Sequence, residues 1–395
     1  MKILDLFAGA GGWDVAATRL GHDVERVEIW DRANRTAEAA GLTTVHHDVT
    51  TYTTEPGRHT IQLGSPSCKR YSAAGNGAGR KALEHVLAGV EIYAGGGTVS
   101  HEQAVEMIGD ADAALTLEPL RIALEGRPWY IAWEQTPAVL PVWQACARVL
   151  ERHGYSVATG ILNAEQYGVP QTRRRAVLMA RTDGPVALPV PTHSRFWNRS
   201  PERLDDGVKP WVSMAEALHW DERAEVISNY GTGGDPAARG VRTSDQPFAT
   251  VTGKADRFKI HFRQNAMRNA TVRTENQPAP TITGAKDWRE RVWMATHMAG
   301  AGITGEGRPR DVDHPAPTLT GKGTAAWMNG ANRWRAGLAT EDRTTTRKVE
   351  PREVAILQTF PADYPWQGGK SEVMTQIGNA VPPLLAEAIL TALTT

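Results

Sequence analysis

Lys2-Ile3-Leu4-Asp5-Leu6-Phe7 runs directly into Ala8-Gly9-Ala10-Gly11-Gly12, and helix-forming residues follow from Trp13 to Leu20. An apolar strand feeding a glycine turn and then a helix commits a chain to a strand-turn-helix unit, since glycine accepts turns that a Cβ forbids. The pattern continues with a strand from Val24 to Ile29, a helix from Asn34 to Ala40 and a short third strand from Val45 to Asp48. Thr60-Ile61-Gln62-Leu63, Trp129-Tyr130-Ile131-Ala132-Trp133 and Ala176-Val177-Leu178-Met179-Ala180 are further strand-like runs. Strands alternating with helices predict a parallel α/β sheet. The glycine turn lacks the lysine of a phosphate-cradling loop, which excludes that class of nucleotide site.

Beyond Arg181 the alternation stops, and Pro185, Pro189 and Pro191 mark a boundary. The chain to about Asp342 is rich in Thr, Gly, Trp and Arg and carries an internal repeat. Its copies are Gln246-Pro247-Phe248-Ala249-Thr250-Val251-Thr252-Gly253, Gln277-Pro278-Ala279-Pro280-Thr281-Ile282-Thr283-Gly284 and His314-Pro315-Ala316-Pro317-Thr318-Leu319-Thr320-Gly321. Each reads as a short β-branched strand stopped by glycine, which suits a small irregular β domain. The predicted organisation is a first domain over 1–184, a second over 185–342, and a segment over 343–395 that returns to the first. A stretch carrying Gly75, Gly77, Gly79 and Gly95-Gly96-Gly97 suits a mobile lid, with Glu84 to Tyr93 helical.

Forty-four basic residues balance 44 acidic ones, so no global basic field attracts nucleic acid, although a local basic cleft is still allowed. Two cysteines, Cys68 and Cys146, cannot build a disulfide framework or a zinc site alone, so no metal is expected. Cys146 falls in a helical stretch from Val142 to Leu150 and reads as core. With no membrane-length apolar run and no secretory pattern, the sequence predicts a reduced, cytoplasmic protein without a membrane partner.

Cys68 is different. It sits in Gly64-Ser65-Pro66-Ser67-Cys68-Lys69-Arg70-Tyr71-Ser72, just past a strand end, in a turn bounded by proline and glycine. Thiols attack as thiolates, and the flanking Lys69 and Arg70 lower a thiol pKa. Further on, Glu134-Gln135-Thr136-Pro137 ends one strand, and Gln171-Thr172-Arg173-Arg174-Arg175 opens another. These segments, in this order, resemble the signatures of the cytosine-C5 DNA methyltransferases: a Pro-Cys loop, a Glu-Asn-Val motif and a Gln-x-Arg-x-Arg motif. Pro351-Arg352-Glu353-Val354-Ala355-Ile356-Leu357-Gln358-Thr359-Phe360-Pro361 resembles the penultimate motif of that family. Gln376-Ile377-Gly378-Asn379-Ala380-Val381-Pro382-Pro383 resembles its last.

The resemblance implies an S-adenosylmethionine-dependent (Rossmann-like) sheet with a second, smaller, irregular β-rich target-recognition domain. In that reading Cys68 adds to carbon 6 of a flipped cytosine, and Glu134 stabilises N3. Arg173 and Arg175, alternating along a strand, share one side, bind the O2 edge and position the cysteine loop, while Arg174 faces phosphate. Glu28 takes the ribose hydroxyls, Asp48 accepts from the adenine amino group, and Phe7 packs on the adenine face. Gly9 and Gly11 admit the methionine part, with Leu115 and Asn379 added by resemblance. Ser67-Cys68-Lys69 departs from the frequent Pro-Cys-Gln, and Gln135-Thr136 replaces Asn-Val.

The expected substrate is double-stranded DNA, contacted in part by Arg257, Lys259, Arg263, Arg268, Arg273, Lys286 and Arg289. Trp288, Trp293, Trp327 and Trp334 read as core. The same chemistry on RNA, or a non-catalytic DNA-binding relative, are the competing readings. The protein is expected to be a monomer, with or without a cognate restriction endonuclease.

Overall fold

The computed structural model describes residues 1–67, 78–197, 203–220, 224–228, 241–251, 258–262, 294–295, 325–326 and 346–395. Contacts divide the chain into two compact units, Met1–Arg263 with Thr346–Thr395, and Gln264–Thr345.

The first unit is built on a seven-stranded sheet. Its strands are β1 (Lys2–Leu6), β2 (Asp23–Val27), β3 (Thr44–His46), β4 (Ile61–Gly64), β5 (Tyr130–Gln135), β6 (Ser156–Asn163) and β7 (Arg174–Arg181). They lie in the order β3-β2-β1-β4-β5-β7-β6. β1 to β5 are parallel, while β7 runs antiparallel to both β5 and β6. The expectation of a parallel sheet is corrected at this edge. β6 and β7 are joined by a short loop with no crossover helix, which permits only an antiparallel pair. β6 itself went unread, because Ser156, Thr159 and Gly160 break its apolar pattern.

β4 and β5 are buried along their whole length. Central strands of such sheets are covered on both faces, which is why they read as continuous apolar runs. One face is covered by α3 (Ala78–Ala94), α4 (His101–Ile108), α5 (Ala111–Ala114), α6 (Glu118–Gly126) and α7 (Leu140–Arg152). There Val86, Val90, Trp143, Cys146 and Leu150 pack on Ile131, Trp133 and Leu178. Burial pushes the Cys146 thiol up, as expected of a core residue. α3 runs 17 residues through Gly79 and Gly89, so that part of the predicted lid is a packed helix; Gly75 and Gly77 lie outside the described residues.

The opposite face is covered by α1 (Gly12–Arg19) and the C-terminal helix α11 (Pro383–Thr394), while α2 (Asp31–Ala39) follows β2. Leu385, Ala386, Ile389, Leu390 and Leu393 form the buried stripe of α11. Gly12 lets the two helices meet, since a Cβ there would lie 2.3 Å from the Val381 carbonyl oxygen. Lys370–Thr394 is apolar and long enough to cross a membrane, but its most apolar window is 61 % buried. It folds as two core helices, α10 (Lys370–Asn379) and α11, broken at Ala380–Pro382.

A second sheet in the same unit follows α8 (Met214–Leu218). β8 (Ala224–Ser228), β9 (Val241–Thr243), β10 (Phe258–Phe262) and β13 (Thr346–Lys348) are ordered β13-β10-β8-β9, all antiparallel. Val226, Phe248, Phe258 and Ile260 share a core with Val354 and Leu357 of α9 (Pro351–Leu357) and with Met374 and Ile377 of α10. The described residues of the first repeat copy, 246–251, form no strand. Phe248 makes a single bridge to Gln171, and the residues to Val251 run on without a ladder. The other two copies lie outside the described residues, as do Trp288, Trp293, Trp327 and Trp334. In the second unit β11 (Met294–Ala295) pairs with β12 (Ala325–Ala326).

Candidate active site

The strand order reverses between β1 and β4, and ligands of open α/β sheets bind beyond the strand C-termini at such a point. Two loops leave the sheet there. The loop after β1 is the glycine turn, and the loop after β4 leads to Cys68. They are tied at their roots: Ser65 N–H donates to the Leu6 carbonyl at 3.2 Å, and the Trp13 indole donates to the Ser65 hydroxyl at 2.9 Å.

Glu28 follows the end of β2 and is 9 % exposed. Its two carboxylate oxygens accept from Gly9 N–H and Trp30 N–H, each at 2.7 Å. Burial raises its pKa, opposed by those backbone donors. Asn34 supports the turn by donating to the Glu28 carbonyl at 2.9 Å. Phe7 adopts φ 60, a strained choice for a residue with a Cβ, costing roughly 1–2 kcal/mol. It packs with Leu115 against Leu6, Val49 and Tyr52. Asp48 accepts from the Thr50 hydroxyl at 2.7 Å and its N–H at 2.9 Å, and the hydroxyl above all holds its pKa down. Gly11 sits at φ 103 and is the residue before α1. Asn379, the last residue of α10, is exposed two residues before Val381, whose carbonyl covers Gly12.

These residues fit S-adenosylmethionine. A Cβ built on Gly9 meets no atom within 4 Å, so the turn presents open backbone. Glu28 supplies an acceptor, Asp48 another, and Phe7 and Leu115 an apolar wall. The sequence reading missed Ile29, assigned there to the strand. It lies past β2 and is 70 % exposed, a large apolar surface beside Glu28.

Cys68 lies outside the described residues, but the root of its loop is in place. Gln135, buried at the end of β5, donates from its amide to the Pro66 carbonyl, and its own oxygen accepts from Thr136 N–H at 2.5 Å. The glutamine standing for asparagine is therefore a strut between the Glu134 strand and the cysteine loop. Glu134 is buried and its carboxylate meets Arg175 Nε at 2.5 Å, an ion pair with little exposure on either side.

Arg173 corrects the expected alternation. β7 begins at Arg174, so Arg173 belongs to the preceding loop. It is 2 % exposed and donates to the Val251 and Gly378 carbonyls, both at 3.0 Å. Arg175 alone of the pair reaches Glu134, while Arg174 is exposed. Around Arg173, the Gln171 amide donates to the Leu357 carbonyl at 3.1 Å and to the Gln358 side chain. Val251 N–H donates to Gln171 at 2.9 Å, and Gln358 donates to the Ala380 carbonyl at 2.6 Å. Gln171 and Gln358, quoted as motif letters, thus form a buried polar junction that spacing did not reveal. Of the basic residues expected to meet DNA, Lys259 lies on β10, and Arg257, Arg263, Arg268, Arg273, Lys286 and Arg289 are outside the described residues. Among the described residues no His, Cys, Asp or Glu cluster could hold a metal.

A family model described as C-5 cytosine-specific DNA methylase matches residues 1–88 and 98–395. The Type II methyltransferase M1.HphI of Haemophilus parahaemolyticus is 24 % identical over 428 residues, covering 99 % of this chain and 86 % of that protein. The Type II methyltransferase M.SacI of Streptomyces achromogenes is 25 % identical over 350 residues, covering 86 % of this chain and 72 % of that one. Among solved structures, the Dnmt2 methyltransferase of S. pombe is similar in fold, with a TM-score of 0.54 at 16 % identity over 100 % of this chain and 98 % of its own. With strand ends, glycine turn and Glu134–Arg175 pair placed as described, the chain belongs to the C-5 cytosine-specific DNA methylase family.

Proposed function

We propose that this protein methylates carbon 5 of a cytosine flipped out of duplex DNA, through a covalent Cys68 adduct. The observation that carries the reading is the Gln135 strut. It holds the carbonyl of Pro66, two residues before Cys68, against the strand end that presents Glu134 beside Arg175.

Carbon 5 of cytosine is a weak nucleophile. Addition of the Cys68 thiolate to carbon 6 forms a C–S bond and moves the ring's double-bond electrons toward carbon 5. Charge then reaches N3, where Glu134, held beside Arg175, stabilises it. Arg175 fixes the Glu134 carboxyl and faces the O2 edge. Glu28, Asp48, Phe7, Leu115, Gly9, Gly11 and Asn379 hold S-adenosylmethionine, which supplies the methyl group as an electrophile when bound. Loss of the carbon 5 proton to a base then restores the double bond and expels the Cys68 thiolate. Carbon 6 is inaccessible in a stacked duplex, so the base must leave the helix.

The region 185–342 is the candidate target-recognition segment, and the type II relatives favour a modification role, with or without a nuclease partner, in the cytoplasm. The test is expression in a host without cytosine methylation, followed by bisulfite sequencing of its DNA. Protected cytosines at one recurring sequence are expected, and none with Cys68→Ala. A folded, S-adenosylmethionine-binding protein that protects nothing overturns the DNA reading in favour of RNA or a silent binder.

A further inference from the structure

Behind the glycine turn lies a cluster of charged groups that the methyl-transfer chemistry does not use. Arg26 of β2 and Asp14 of α1 are fully buried and paired, Nε to Oδ2 at 2.7 Å. The remaining guanidinium nitrogens donate to the Gly9 carbonyl at 2.6 Å and to the Thr44 hydroxyl at 3.2 Å. Asp5 of β1 is also fully buried, and its oxygens meet no N–H or O–H donor. Burial first, then the Asp14 charge, pushes Asp5 well above the usual carboxylate range. Asp5 therefore binds a proton more tightly than an exposed carboxylate does, beside the buried Asp14–Arg26 pair.

The second hold on the turn comes from the far end of the chain. Tyr364, 9 % exposed, donates its hydroxyl to the Ala10 carbonyl, and the Tyr364 hydroxyl oxygen lies 2.8 Å from where a Gly11 Cβ would be. Burial pushes the phenol up, so it remains a donor. Two successive carbonyls of the turn are thus drawn inward, toward Arg26 and Tyr364. The Gly9 N–H is directed to Glu28, and the outer side of Gly9 is left open. A turn whose carbonyls point away from a ligand that needs N–H and carboxylate contacts is preorganised for it.

We infer that Arg26 and Tyr364 are positioning residues for the cofactor: they lock the inward carbonyls of Gly9 and Ala10, and Asp14 locks Arg26. The inference rests on the reading of the turn as the S-adenosylmethionine site. Neither residue is assigned contact with substrate or cofactor, so each acts through the backbone.

Two variants test it. Tyr364→Phe deletes one hydroxyl, and Arg26→Lys keeps the buried charge but cannot hold Asp14, Gly9 and Thr44 together. S-adenosylmethionine is titrated calorimetrically into the full-length protein, and DNA binding, melting and steady-state kinetics are followed on the same samples. Each variant is expected to weaken cofactor binding about three- to tenfold, the worth of one hydrogen bond. KM for the cofactor should rise in parallel, with DNA affinity and turnover at saturating cofactor unchanged. Lower melting temperatures with wild-type cofactor affinity in both variants would mean a purely structural role and overturn the inference. No binding by the wild-type protein would instead overturn the pocket reading, and the inference with it.

Discussion

The two ends of the candidate site are held in different ways. At the cofactor end the bonds are short in sequence: Arg26 reaches back 12 residues to Asp14, and Glu28 reaches back 19 to Gly9. At the catalytic end they are long. Gln171 reaches Gln358, 187 residues away, and Arg173 reaches Gly378, 205 away. Both ends are buried and polar, but the bonds that fix the glycine turn lie mostly within β1, α1 and β2, with Tyr364 as a distant tie. The second exists only after the loop before β7, the Phe248–Val251 segment, α9 and α10 have all docked. A local cluster of charges can set a loop early in folding. A long-range junction makes the geometry around Glu134 depend on the whole first unit.

Arg173→Ala breaks the long-range end most severely. It leaves the Val251 and Gly378 carbonyls without their charged donor, and should cost about 3–5 kcal/mol by urea denaturation. Loss of the loop before Arg175 should remove methylation with it. If stability is unchanged, the junction does not hold the catalytic end.

Glu134→Gln separates chemistry from that scaffold. It removes the carboxyl proposed to stabilise N3 and should lower turnover about 10²- to 10⁴-fold, with cofactor affinity at the opposite end retained. An equal fall in cofactor binding would show that the ends are one unit.

A smaller effect is expected of Gln358→Leu, which removes one partner of Gln171 and the donor to the Ala380 carbonyl and should cost about 2 kcal/mol. Its signature is lower stability with cofactor affinity intact.

The mildest test lies at the local end. Asp5, facing Asp14, Arg26 and Glu28, has its pKa raised above the ordinary 3.8, so it binds its proton more tightly folded than unfolded. Its contribution is fully present below that ordinary value and is lost as pH rises through the raised pKa. Asp5→Asn, which cannot ionise, should flatten this fall in a series of denaturation curves from acid to alkaline pH. A fall as steep as that of the wild-type protein would mean that Asp5 is not the group responsible.

The sequence by itself determined the βα order, the glycine turn, the strand ends at Glu28, Gly64 and Glu134, and the core placement of Cys146. These are legible because a strand's apolar run and a tight turn are dictated by neighbouring residues. The family followed from motif order. Tertiary structure decided what depends on distant partners. β7 is antiparallel because its connection to β6 is too short for a crossover. Arg173 leaves the expected face because two backbone carbonyls, Val251 and Gly378, are buried there and need a donor. Gln135 is a strut because Pro66 lies opposite it. Arg26 and Asp14, unremarked as letters, become a clamp because burial leaves each no other partner strong enough to offset the loss of water.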